Sequence, residues 1–193
     1  EMCIRDSSLV VAIVKGDLGR ASGKRYIAKS FEHLRYRLEI SPTWLFETFV
    51  QHEYDQFRRL EMRTLMGVGA AIRVLRGKRF NSTWGLAYMP EYERLRADEE
   101  TDAGREYIFN RASGYVSGAI ELDERIQLVQ TFYLQPRIDE PEDYRFLSES
   151  QFVVHLTEHI AQTTALSIAY DTRPPQAIEK LDTTLKSSLT YSF

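Results

Sequence analysis

Cysteine is nearly absent from this chain of 193 residues, and the lone Cys3 excludes an intrachain disulfide and any paired-thiol metal pattern. No run of about 18 apolar residues occurs, which excludes a membrane-spanning helix. It does not exclude a spanning strand, which needs only roughly 9–11 residues and turns every second one to a polar lumen. The mean hydropathy of -0.38 is compatible with that arrangement. No stretch rich in proline, glycine or serine divides the sequence, so a single domain is expected. No basic stripe exists either: the formal net charge is -3 and the cations alternate with acids, which sets nucleic acid aside as a partner. The opening residues Glu1 to Ser7 have neither the basic region nor the apolar core of a secretory signal, and they do not alternate. Residues 1–8 are therefore read as a non-native or disordered start, and 9–193 as the domain.

What the sequence has in abundance is alternation. From Leu181 to Phe193, odd positions carry apolar or neutral residues and even positions only polar ones. This period of two makes a two-faced strand and cannot be fitted to a helical stripe. Reading the whole chain this way gives ten strands, near 8–15, 23–38, 42–56, 60–75, 80–93, 105–121, 125–137, 143–156, 160–172 and 181–193. Their connections alternate in length. Glu39–Pro42, Arg76–Lys78, Leu122–Glu124 and Thr157–His159 are short, whereas Gly16–Gly23, Leu95–Gly104 and Asp171–Lys180 on the other side are long; the short Gln56–Arg59 is the exception. Short periplasmic turns and longer external loops are the habit of outer-membrane barrels. The expected fold is an all-β, antiparallel up-and-down transmembrane barrel.

Register follows from charge, because a slip of one residue exchanges the two faces. Trp44, Phe46, Val50, Met66, Val68, Ile72, Trp84, Leu86, Tyr88, Leu128, Phe132, Phe152 and Leu189 are assigned to the outside. Glu47, Glu53, Arg63, Arg73, Glu91, Arg111, Glu149, Asp182 and Lys186 are assigned to a lumenal polar network. A lipid-facing Arg or Lys at mid-depth costs about 2–4 kcal/mol, so the scarcity of outward charge is meaningful. Aromatic residues fall into two belts, with Tyr36, Trp44, Phe80, Tyr191 and Phe193 toward one rim and Tyr26, Tyr54, Tyr88, Tyr92, Tyr144 and Tyr170 toward the other. Mixed charge in a narrow lumen favours salt-bridged closure over an open pore.

The alternating strands, Arg25-Tyr26, Gly67-Val68-Gly69-Ala70, Arg173-Pro174-Pro175 and the terminal Leu189-Thr190-Tyr191-Ser192-Phe193 together resemble an uncharacterised family of salt-induced outer-membrane β-barrel proteins, over about Lys24 to Phe193. The resemblance implies a Gram-negative outer membrane as location, lipid and lipopolysaccharide as surroundings and a link to salt stress. It also implies strands upstream, so that the chain is expected to be a truncated barrel. Leu189, Tyr191 and Phe193 resemble the signal read by the outer-membrane assembly machinery.

Other motifs yield to simpler readings. His155-Leu156-Thr157-Glu158-His159 has the spacing of an inverted zinc-protease site but straddles a strand end instead of a helix, so no metal is expected there. Gly67-Val68-Gly69 sits within a strand and is read as room for larger lumenal side chains, not as a dinucleotide loop. The acidic runs Asp98–Asp102 and Asp139–Asp143 lack the oxygen spacing of a calcium loop and are read as solvated. No catalytic residues and no cofactor are assigned. The alternatives are a barrel lipase or protease, for which His52 with Glu53 and Asp55 is the best candidate, and a soluble ligand-binding barrel, whose apolar residues would face inward.

Overall fold

The computed structural model describes residues 8–21, 24–77, 79–97 and 102–191, without the side chains of 20–27. The expected non-native start before Ser8 and the terminal Phe193 lie outside the described residues. Period-two segments become strands throughout: β1 (Ser8–Ala21), β2 (Lys24–Glu39), β3 (Trp44–Asp55), β4 (Leu60–Arg76), β5 (Phe80–Leu95), β6 (Glu106–Asp123), β7 (Ile126–Pro136), β8 (Tyr144–His155), β9 (Ile160–Asp171) and β10 (Leu181–Tyr191). Each pairs with its sequence neighbours in one antiparallel sheet of ten strands, ordered β1 to β10, that curls into a half-barrel. Among the described residues no ladder joins β1 to β10, so the sheet keeps two free edges.

One expected loop is mostly strand. The segment Gly16–Gly23, read as an external loop, is largely strand, because β1 continues to Ala21 and pairs Asp17 with Lys29 and Leu18 with Ala28. Glycine and aspartate usually punctuate strands, but here Asp17 has charge partners on the concave face: Lys29 at 3.8 Å and Lys186 of β10 at 3.3 Å.

The ladders are staggered in the way that closing a barrel demands. Starting at Trp44, the first residue of β3, the row of directly opposed residues runs through Ile72, Trp84, Val116, Phe132, Ser148 and Ile168 to Thr183, near the start of β10. Those two strands begin at opposite ends of the sheet. The row therefore climbs from one rim to the other, which means that the strands are strongly tilted.

The two faces differ in chemistry. Trp44, Val68 and Leu189 on the convex face are 54%, 47% and 72% exposed, while Glu47, Glu91 and Arg111 on the concave face are 4%, 1% and 1% exposed. Leu128, expected among the exposed residues, is half-buried. Glycines admit the larger lumenal rings. A Cβ on Gly67 would lie 2.1 Å from the Phe49 ring, and one on Gly85 2.1 Å from the Tyr115 ring. Polar residues interrupt the convex face, and two groups of them are hydrogen-bonded across neighbouring strands near its interior. His52 accepts or donates through Nδ1 to the Thr64 hydroxyl at 3.0 Å, with Glu32 opposite in the same row. Gln130 joins the hydroxyls of Ser148 and Ser150 on the neighbouring strand.

Candidate functional site

Alternation on β3, β4, β5, β6 and β8 delivers odd-numbered charged residues to one region of the concave face, and there they interlock. Glu91 on β5 lies at the centre. Arg63 donates to it from β4 at 2.8 Å, Arg145 from β8 at 2.6 Å, and Arg111 from β6 stands 3.7 Å away. Arg145 also donates to Glu93 and to Asp171, each at 2.7 Å. Arg63 reaches Glu53 at 3.4 Å, and Asp143 receives Arg111 and Arg137, each at 3.2 Å. The three guanidinium groups around Glu91 neutralise a carboxylate that could not otherwise stay charged away from water. Asp171 is the direct neighbour of Arg145 on β9, but the contacts of Arg145 with Glu91 and Glu93 are long-range, since β6 and β7 separate β8 from β5 in the sheet. They cross the lumen.

A second lumenal group lies nearer the opposite rim. Arg37 on β2 donates to Glu47 on β3 at 2.6 Å, and the Tyr115 hydroxyl on β6 sits 2.9 Å from both carboxylate oxygens of Glu47. Again the contact skips strands, passing over β4 and β5. Arg35 differs from these arginines. Among the described residues it has no ion pair, and instead it stacks its guanidinium on Phe49 at 5.4 Å and Tyr115 at 5.7 Å.

The loops close the rim beyond the Glu91 group. Arg59, in the turn between β3 and β4, donates to the Asp102 carboxylate of the β5–β6 loop at 2.7 Å and to the carbonyl of Gln176 in the β9–β10 loop at 2.8 Å. The Gln176 amide completes the triangle by donating to Asp102 at 2.9 Å. Burial opposes ionisation of Asp102, but the Gln176 amide and the Arg59 guanidinium outweigh it and hold the carboxyl below its ordinary value. Arg59 adopts a left-handed backbone, with φ of 57°, to make this connection. In the β7–β8 loop, the hydrogen bond from Arg137 likewise lowers the Asp139 carboxyl.

The residues expected to form one lumenal network are thus divided. Glu53, Arg63, Glu91 and Arg111 meet in the central group, and Glu47 belongs to the second. Arg73 pairs with Glu39 at 2.9 Å at the rim, Lys186 pairs with Asp17, and Glu149 and Asp182 line concave cavities. Of the proposed assembly signal, Leu189 and Tyr191 face outward. His52 faces away from Glu53 and Asp55, so that candidate constellation is not assembled. Arg145, Arg137, Glu93, Asp143, Asp171 and the Arg59–Asp102 pair were not legible as site residues. The parity of Arg145 with inward Glu149 on β8 was the available signal. No group of three or more His, Cys, Asp or Glu suited to a metal ion occurs among the described residues, the His155–His159 segment included.

Between the two ionic groups and the inner face of β1 lies a cavity of about 360 Å³, walled by Leu9, Val11, Ile13, Phe31, Phe49 and Tyr133 and carrying Arg35, His33, Lys15 and Glu149.

With this geometry in view, the family assignment is direct: the chain belongs to the family described as "Protein of unknown function, DUF481", whose model matches residues 12–193. No curated protein and no solved structure matches it.

Proposed function

We propose that this chain is an integral β-barrel protein of a Gram-negative outer membrane, with a lumen held shut by salt bridges and an envelope-structural role instead of a catalytic one. The inversion of burial carries the reading. A soluble ligand-binding barrel turns its apolar residues inward, whereas here large apolar side chains such as Trp44, Trp84, Leu86 and Ile108 are exposed on the convex face and charged ones are buried on the concave face. Lipid is the solvent that suits such a surface, since an exposed apolar area of this extent would drive association in water. In bilayers, Leu189 and Tyr191 on the last strand are the residues offered to the assembly machinery. The resemblance to salt-induced barrels supports a role in osmotic stress.

Closure of the lumen rests on the strand-skipping pairs from Arg145 to Glu91 and Glu93. Reconstitution in planar bilayers tests both halves of the proposal. Insertion with heat-modifiable gel mobility and no conductance at any salt is the expected result. Failure to insert removes the membrane reading, and steady wild-type conductance removes the plug.

A further inference from the structure

We infer that the concave cavity beside β1 is a binding site for a small anionic amphiphile, a single carboxylate- or sulfonate-type head carried on an aliphatic or aromatic body. Three observations converge. First, the cavity is about 360 Å³, and although Arg37, Glu53, Arg63, Arg145 and Asp171 of the neighbouring ionic groups line part of it, Leu9, Val11, Ile13, Phe31 and Leu65 give it apolar walls that those groups lack. A concave, mostly apolar space with a few fixed polar groups is the ordinary form of a small-molecule site. Second, Arg35 enters this space without a carboxylate partner among the described residues, in contrast to Arg37, Arg63, Arg111 and Arg145, each of which has one. Its guanidinium lies within cation–π distance of both the Phe49 and the Tyr115 rings, which restrains it without neutralising it. Third, its Nε is buried with no hydrogen-bond acceptor; the Nε atoms of Arg63 and Arg111 share that state, but those two side chains donate to carboxylates through their terminal nitrogens and Arg35 does not. A buried unsatisfied donor on a cation is costly, and an anion in the cavity supplies both the missing acceptor and the missing charge.

Lys15, 5.5 Å from the Phe31 ring, adds a second cation at the cavity wall. Three acids also line the cavity; Glu53 and Asp171 are paired with Arg63 and Arg145, whereas Glu149 has no ion pair among the described residues and is the opposing group. The two signs therefore give opposite predictions for one ligand. The inference is independent of the membrane reading, because the cavity lies on the concave face whether the convex face meets lipid or water.

Naphthalene-1-sulfonate is a suitable probe and naphthalene-1-methanol its uncharged counterpart, titrated calorimetrically into the full chain folded in a non-ionic detergent. Saturable binding of the sulfonate is expected, with the alcohol weaker. Arg35→Met should lower sulfonate affinity by about ten- to a hundredfold, the worth of a hydrogen bond to a charged group. Arg35→Lys should lower it less. Glu149→Gln should raise sulfonate affinity roughly two- to fivefold and leave the alcohol unchanged. Absence of saturable binding overturns the inference, as does equal sulfonate affinity in wild type and Arg35→Met. If Arg35→Met does not fold, Glu149→Gln decides: an unchanged or lowered sulfonate affinity refutes the site. A conductance result in bilayers bears on the plug and not on this site.

Discussion

Glu91 shows how much a single lumenal side chain carries. It is 1% exposed and lies within ion-pair distance of three arginines on three other strands. Glu91→Gln keeps the shape but removes the one carboxylate that all three guanidinium groups share, leaving each to its remaining acid on another strand or loop. Removing one partner of a buried pair typically costs about 3–5 kcal/mol. A loss of that order, read by denaturant unfolding, is expected, and a change below about 1 kcal/mol would mean that water already solvates the group. Gly85 is the steric counterpart. Its absent Cβ is what allows the Tyr115 ring to lie against β5 and reach Glu47. Gly85→Ala should therefore destabilise by about 1–3 kcal/mol, as overpacking of a filled interior does. The same substitution at Gly104, where nothing lies within 4 Å of an added Cβ but φ is 68°, acts through backbone strain alone.

At the level of strands and loops, the cap made by Arg59, Asp102 and Gln176 is sensitive to acid in a defined direction. The Asp102 carboxyl is held below its ordinary value, so it contributes stability that is complete above the usual aspartate range, near about pH 4. That contribution falls away as pH drops through the lowered folded-state value. Amide exchange at Gln176, whose N–H bonds to Asp102, should stay protected from neutral pH down to about pH 5 and lose protection in stronger acid. Asp102→Asn should remove the acid dependence. The cap was not legible in the sequence, because Arg59, Asp102 and Gln176 lie in three different connections and no local pattern links them. The strands were legible, since each carries its own alternation and requires no distant partner. Charge parity therefore foretold the inward direction of Glu47, Arg63, Glu91 and Arg111, but not which would pair. Pairing depends on curvature, which brings β8 opposite β5. β1 extends beyond its expected end for a related reason: Gly16-Asp17 is a local turn signal, and the charge partners of Asp17 in the strand, Lys29 and Lys186, are distant in sequence.

For the molecule as a whole, the convex face distinguishes lipid from water as the surrounding medium. Val68 is exposed near the middle of β4, away from both rims. In a bilayer, Val68→Arg should cost about 2–4 kcal/mol of folding stability. In water an exposed substitution of this kind stays within roughly 0.5 kcal/mol. Measuring the variant in lipid vesicles gives a large loss if the proposed setting is right and almost none if it is not.

The meander joins every strand to its sequence neighbour, so its hairpins can form one after another with short loop closures. Arg145 obeys a different clock. Its bonds to Glu91 and Glu93 connect β8 to β5 and can be made only after the sheet has curled. These bonds belong to the last stage of folding and the first stage of unfolding. Arg145→Met should thus accelerate unfolding while leaving the folding rate nearly unchanged, the signature of a contact absent from the transition state. In that sense the clasp across the lumen governs lifetime: it sets how long a finished sheet stays curled, and has little part in how the sheet is made.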